Sequence, residues 1–485
     1  MGESRRHVVV SVAGGGEEPE GGVDDRRCPI HTFGVPPEVP AVSRDASNRR
    51  FVRIRSWREA RTVLRARSAT QQAGFTAEDI PKWIFKRRPI LISDGPEHDA
   101  ARSELARFFA PRVVTSRYGS AMDAAAERWL RAAATVQRRD GAVDVADLAL
   151  MYSVDVSARI VGLTEAPVPK LARRLERFFR QPDVDMSRRH LGRNLAQWGL
   201  AAWRGVVPLT QFALADVLPA VRARRADPRE DVISHLLARG ATFADVVAEC
   251  VTYGTAGMVT TREFMTLAAW RLLDDEALRS RFLGGSDADR LALLSEVLRL
   301  DPVVLRLYRR VTSPIALDAD GQTLRPGDLV EIRVDEVNAD AARCPVTGAA
   351  APVAPRGPDA VSRAADAKSP GQHRDPLAEH PEPLAEHPES LAEHPDPLAE
   401  HPDPLAEHPD RPMPKAVDAT GFTFGDGAHR CLGQPLALHE ADALLRRFFE
   451  AEPELIRQPV VTRNSLIAGY EIRGLRVRFR RLPAR

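Results

Sequence analysis

Apolar residues recur at three- and four-residue intervals through most of this chain, and the longest unbroken run of that spacing is Thr242 to Leu273. The pattern predicts one long helix there. Thr242 followed three residues later by Asp245 resembles a capping box, with Asp in place of the usual Glu or Gln. The middle of the run, Thr255-Ala256-Gly257-Met258-Val259-Thr260-Thr261, suits a helix poorly. Glycine costs about 1 kcal/mol relative to alanine, and threonine hydroxyls bond back to carbonyls and distort the turn. Close helix packing at Gly257 would account for it. Residues 117–240 read as several helices broken at Gly141, Gly162 and the link Ala166 to Pro169, with a core-forming stripe at Leu148, Met151, Tyr152, Val156 and Ile160. A shorter helix opens at Ser56-Trp57-Arg58-Glu59, and others cover Leu291 to Leu300 and Leu436 to Phe448.

Two-residue alternation is confined to short pieces. Phe51 to Ile54 is one, and Val460 to Arg481 is another. Ile315 to Val334 alternates around Asp320-Gly321 and Pro326-Gly327, both hairpin signals. The expected fold class is mainly α with small β-sheets.

The periodicity fails from Cys344 to Lys415, a stretch rich in Pro and Ala that carries five near-identical units ending in LAEHP. A proline in each seven-residue unit prevents a continuous helix, and no unit has the apolar area for a solenoid core. Its five histidines (His380, His387, His394, His401, His408) could bind metal, but a solvated linker is the favoured reading. The expected organisation is a disordered leader over 1–27, one folded body over 28–342 and 411–485, and a disordered acidic insert over 343–410.

Composition narrows the class. Residues 375–410 hold eleven Asp or Glu and no Lys or Arg, so the net charge of +2 leaves the remainder at +13. The arginines are scattered through amphipathic helices without a nucleic-acid motif, so an acidic protein partner is expected and a nucleic acid is not. The four cysteines, Cys28, Cys250, Cys344 and Cys431, are far apart and form no C-x-x-C pair. Neither a zinc ribbon nor a disulfide scaffold is indicated, and a reducing cytoplasm fits. The sequence shows no segment that reads as long and apolar enough to span a bilayer, and no membrane partner is expected.

Chemistry concentrates in Gly421 to Glu440, GFTFGDGAHRCLGQPLALHE. Cys431 lies between a glycine-bearing loop and a predicted helix with Pro435 in its first turn. Gly425, Gly427 and Gly433 would permit angles and approaches that a side chain blocks. A thiol at a helix N-terminus is biased toward thiolate, the form that binds metal. The string from Phe424 to Gly433 reads F-G-x-G-x-H-x-C-x-G and resembles the haem-binding loop of the cytochrome P-450 family. There the matching cysteine is the axial thiolate of the haem iron, which is the role implied for Cys431.

Further motifs follow the family's order. Asp94-Gly95-Pro96-Glu97-His98 with Arg102 is similar to its D-x-P-x-H-x-x-x-R helix, and His98 and Arg102, four apart on one face, are implied propionate ligands. Pro302, Arg309 and Thr312 resemble its P-…-R-x-x-T segment, which makes Arg309 the third propionate candidate and Arg310 its alternative. Val303 to Leu307 and the hairpin tip Leu466 to Gly469 would line the substrate side. His429 becomes a propionate contact, Phe424 packs beside the ring, and Gly433 belongs to the same cofactor loop. Glu296 and Arg299 match the structural E-x-x-R pair, and Asn338 and Asp340 match N-x-D, with Ala339 where arginine is usual. In the long helix the resemblance assigns Ala256 and Gly257 to a dioxygen groove and Thr260 to ordering water and donating to iron-bound oxygen. Val259 stands where the family has Asp or Glu, which puts the usual proton relay in doubt; Glu263 lies three residues after Thr260.

The resemblance implies haem b (iron protoporphyrin IX) and monooxygenation of a small organic substrate by dioxygen. Electrons would come from a ferredoxin with its reductase or a similar donor, since no flavin or ferredoxin region is visible. A peroxide-using or non-oxygenating haem-thiolate enzyme and a non-catalytic haem sensor are the alternatives. The acidic repeats are expected near the cysteine side, shielding a basic docking surface for that donor.

Overall fold

The computed structural model describes residues 40–74, 86, 88–318, 321–340 and 419–481. The leader, Cys28, Cys344, Asp320 and the acidic repeats lie outside the described residues, as does the shielding expected of those repeats.

Helices dominate, and sequence signals set their ends. Gly119–Asp140 stops at Gly141, whose φ of 75° is the left-handed conformation glycine tolerates. Val145–Val161 starts where the Asp144 side chain accepts from the Ala146 amide at 2.9 Å, and ends at Gly162 with φ 102°. This second helix is buried along nearly all its length, between Gly119–Asp140, the long helix and Val168–Phe179. Gln434–Glu450 closes the bundle against Gly119–Asp140 and the long helix.

The long helix runs from Phe243 to Asp274 without a break in chain direction. Its capping box is present: the Thr242 amide donates to Asp245 at 2.9 Å and the Asp245 amide donates to the Thr242 hydroxyl at 3.2 Å. Gly254–Val259 is widened to a π-helix, in the stretch whose composition argued against a regular helix.

Five short strands form the main sheet in the order Val42–Arg44, Phe51–Ile54, Leu329–Arg333, Arg306–Val311, Thr70–Ala73. Phe51–Ile54 runs parallel to Leu329–Arg333, and Arg309 pairs with Gln72 across the antiparallel edge. Val460–Asn464 and Gly469–Arg473 form the expected hairpin, and Arg476–Phe479 joins a separate three-stranded sheet.

One expectation is corrected. Leu195–Phe212 runs through Gly199, Gly205 and Pro208 and continues to Ala226, and by length and composition this helix is long and apolar enough to cross a membrane. The sequence reading places helices in this region but none of this length, because Gly199, Gly205 and Pro208 each disfavour a long helix locally.

Candidate functional site

The cysteine loop is bolted to the body through Asn338. Its Oδ1 accepts from the Phe422 amide at 2.8 Å, and its Nδ2 donates to the Arg299 carbonyl at 3.0 Å and to the Thr423 hydroxyl at 3.1 Å. Arg299 reaches back to the Asn338 carbonyl at 3.1 Å and holds Glu296 through two bonds of 2.7 Å. Thr423 donates to the Leu298 carbonyl at 2.8 Å. The E-x-x-R pair therefore joins the loop by way of Asn338, although Ala339 supplies no arginine. Gly421 is obligatory here: its φ is 56° and a Cβ would stand 2.3 Å from Asn338 Oδ1.

Beyond Phe422 the loop folds on itself. The Gly425 amide donates to the Phe422 carbonyl and the Cys431 amide to the Phe424 carbonyl, both at 2.8 Å. A Cβ on Gly427 would meet the Leu64 carbonyl oxygen at 2.2 Å, so the backbones touch. Asp426 fixes that approach by accepting from the Gly427 amide and from Arg65, each at 2.8 Å. Gly433 departs from expectation: its φ is −81°. A methyl there would lie in ordinary contact, 3.7 Å from Cys431 Sγ.

The Cys431 thiol is free and solvent-accessible, yet deep enough that burial raises its pKa above the ordinary thiol value. The Gly433 and Gln434 amides and the charges of Arg102 and Arg430 oppose that rise without cancelling it. The thiolate bias expected from the helix terminus is present but outweighed by burial. Among the described residues no group of three or more His, Cys, Asp or Glu could hold a metal ion.

Basic side chains gather on the same side. His98 is buried and its ring lies 4.3 Å from that of His429. Its Nδ1 is 3.3 Å from Asp99, and its Nε2 has no hydrogen-bond partner among the described residues. Burial first, then His429 and Arg102, push its pKa down to about 4. His429 contacts Asp94 through Nε2 at 2.8 Å, and burial lowers its pKa despite that partner. Arg102 donates to the Arg430 carbonyl. Buried Arg309 donates to Gln72 Oε1 at 2.6 Å and to the Tyr308 carbonyl at 2.7 Å, and burial takes its pKa to about 10. Strand alternation turns Arg310 the other way, onto the Gly327 carbonyl at 3.2 Å. Both Arg102 and Arg309 thus rest on neutral acceptors, with Asp94 the neighbouring carboxylate. With both histidines held neutral by burial, the positive charge here is that of Arg102 and Arg309, which fits a ligand carrying carboxylates. Gln72 escaped the sequence reading because a glutamine on an edge strand carries no signal, and Asp94 entered it only as part of a turn.

On the long helix, Thr260 Oγ1 donates to the Ala256 carbonyl at 2.5 Å, across the widened turn. A Cβ on Gly257 would meet only Ser157 Oγ, at 3.6 Å, so close packing does not explain that glycine. It does explain Gly254, where a Cβ would stand 2.9 Å from Leu175 Cδ2. Val259 is fully buried with Phe179 and Ile467. Glu263 is buried and committed: it accepts from the Ile472 amide at 2.8 Å and pairs with Arg473 and Arg262, both at 2.8 Å. It is no free acid beside Thr260. The hairpin tip meets the strand before Arg309, with the Leu305 amide donating to Ala468 at 2.9 Å. Leu307, Leu466 and Ala468 share a cavity of about 30 Å³.

No family model and no curated protein matches the sequence. Solved structures do match. The cytochrome P-450 enzyme CYP109B1 from Bacillus subtilis aligns with 90% of this chain and 96% of its own at TM-score 0.61 and 17% identity. A mutant of the cytochrome P-450 EryK bound to erythromycin B covers 94% and 96% at TM-score 0.61 and 18% identity. The cytochrome P-450 BioI, bound to an acyl carrier protein bearing hexadec-9Z-enoic acid, covers 88% and 92% at TM-score 0.61 and 16% identity. With these structures matched over about nine-tenths of its length, the chain has the cytochrome P-450 fold.

Proposed function

We propose that this chain is a haem-thiolate monooxygenase that inserts one oxygen atom from dioxygen into a small organic substrate, by hydroxylation or epoxidation. The observation that carries the reading is the convergence of a free, accessible thiol at a helix N-terminus with buried His98 and Arg309 and partly buried Arg102 and His429, the two arginines resting on neutral acceptors. Cys431 would hold the iron of haem b, and the Gly433 and Gln434 amides would temper the charge on its sulfur. His98, Arg102, Arg309 and His429 would hold the propionates, with Phe424 beside the ring. Bound there, the haem would supply the oxygen-activating chemistry. Ala256 and Gly257 leave room in the widened helix, and the Thr260 hydroxyl can exchange its bond to the Ala256 carbonyl for one to a distal water. With Val259 apolar and Glu263 committed to arginines, protons reach that space through Thr260, water and substrate. Electrons come from an external donor such as a ferredoxin with its reductase.

A second reading follows from Val259. Hydrogen peroxide brings its own oxygen, electrons and protons, so a peroxide-using enzyme needs no acid there. The reduced, CO-bound spectrum tests the thiolate, and Cys431→Ser should abolish its signature. Product formation with a ferredoxin system and dioxygen, against peroxide alone, separates the two enzymes; a carrier or sensor forms product with neither.

A further inference from the structure

The helix that begins at Leu195 shows an apolar face to solvent. Leu195 is 91% exposed, Trp203 68%, Val206 61% and Leu214 58%. They recur at helical intervals on one side, over about 28 Å at 1.5 Å per residue. The opposite side is held down by buried Ala201, Pro208 and Phe212, the last two against Phe178 and Phe179 of the helix Val168–Phe179. Just past the exposed stripe, buried Asp216 is paired with Arg174. Those anchors keep the helix lying on the body, with only a third of its most apolar window buried.

Charge identifies the occupant. From Met186 to Ala215 there is no Asp or Glu, while Arg188, Arg189, His190, Arg193 and Arg204 fall in the same stretch. Arg188 pairs with Asp185 at 3.1 Å, both well exposed, and Arg193 donates to the Asp183 carbonyl at 3.1 Å. A stripe with an exposed tryptophan, arginines at its start and middle, and no acid suits the headgroup boundary of an anionic bilayer. An acidic protein would satisfy the arginines but leave the uncharged stripe without a reason, and a second copy would set arginine against arginine.

We propose that the face Leu195–Leu214 is a docking surface for anionic phospholipid membranes, on which the helix lies in the plane of the interface. The same helix backs Phe179, which packs on Val259 and Ile467, so docking sets the membrane one layer from the distal side of the proposed haem site. Lipid-dissolved substrates would then enter from the bilayer. That consequence rests on the proposed function; the docking does not.

The test is co-sedimentation of the purified full-length holoprotein with vesicles of phosphatidylcholine, alone or with a quarter phosphatidylglycerol. Partitioning onto the anionic vesicles should be at least tenfold stronger and weaken with salt, with a blue shift of emission that Trp203→Phe removes. Leu195→Gln/Trp203→Gln/Val206→Gln should lower partitioning at least tenfold while leaving the CO-bound spectrum unchanged. Should that variant not fold, Arg188→Gln/Arg193→Gln/Arg204→Gln keeps the stripe and should erase the preference for anionic vesicles. No partitioning, or partitioning undiminished in both variants, overturns the proposal. So does a salt-insensitive dimer that the triple glutamine variant splits, which assigns the face to a second copy. An unchanged spectrum with lost partitioning separates failure of docking from failure of the haem reading.

Discussion

Replacing Asn338 by alanine should cost far more than breaking the ion pair beside it. Asn338→Ala leaves the buried Phe422 amide and the Arg299 carbonyl without partners, and Thr423 loses one of two bonds. An unsatisfied buried polar group costs about 1–3 kcal/mol, so two give a loss near 3 kcal/mol. Glu296→Ala removes a carboxylate whose side chain is 52% exposed, while Arg299 keeps its bond to the Asn338 carbonyl. Exposed pairs of this kind contribute about 0.5 kcal/mol. Urea unfolding followed by tryptophan emission reads the difference directly. Asn338→Ala should shift the midpoint several times further than Glu296→Ala, and should also lower the share of CO complex with a thiolate signature, because the loop that positions Cys431 is loosened. Equal shifts, or a larger one for Glu296→Ala, would refute the claim that Asn338 rather than the ion pair carries the junction.

Other outcomes follow from single positions. Gly427→Ala should cost about 3 kcal/mol or more, from its φ of 66° and a Cβ 2.2 Å from a backbone oxygen; soluble yield and thermal midpoint report it. Glu249 is buried, with one oxygen accepting from the Ile90 amide at 2.9 Å, and burial raises its pKa to about 7. Its folded form therefore keeps a proton that the unfolded chain releases, and stability falls as pH rises from about 4.5 to 7. Glu249→Gln should be more stable than the parent by about 2–3 kcal/mol at pH 8, the gap closing below pH about 4.5. In haem-depleted protein, His98 stays neutral down to pH about 4. The unfolded chain protonates first, so stability drops as pH falls from about 6.5 to 4, by about 2 kcal/mol, and His98→Gln should flatten that drop. Val259→Asp buries a carboxyl against Phe179 and Ile467 and should cost about 3 kcal/mol at pH 8, the deficit shrinking as the pH falls toward the ordinary carboxylate pKa.

The helical frame was legible because its signals are local. Gly141, Gly162 and the Thr242–Asp245 box end helices by chemistry acting within four residues, and each does so here. The widened turn at Gly254–Val259 was legible as unease, a run of Gly, Val and Thr where a helix was demanded. The helical character of the stretch after Leu195 was legible but its length was not, since Gly199, Gly205 and Pro208 count against a long helix locally while tertiary packing on Phe178 and Phe179 overrides them. Within the candidate site, Cys431, His98, Arg102, Arg309 and His429 were visible through spacing and resemblance. Gln72 was not: it is brought to Arg309 by strand pairing across more than two hundred residues, a relation no local window contains.

Where the chain departs from its expected pattern is itself informative. The junction behind Cys431 lacks the arginine expected at Ala339 and still closes, because Asn338 bonds both the helix end and the loop. The distal helix lacks the acid expected at Val259 and is not compensated, because the nearest carboxylate in sequence, Glu263, is spent on Arg473, Arg262 and the Ile472 amide. In the proposed haem-thiolate enzyme, forming the thiolate site and supplying it with protons would therefore be separate problems. The first depends on buried hydrogen bonds that tolerate no loss. The second would depend on one hydroxyl, Thr260, and on whatever water the widened turn admits. In the proposed monooxygenase the residue whose loss should uncouple electron use from product, with the Cys431 spectrum intact, is thus Thr260 and not Glu263. Loss of Glu263 would instead leave the buried Ile472 amide without its acceptor and take one carboxylate each from Arg262 and Arg473, which keep Glu176 and Glu471, and read as instability.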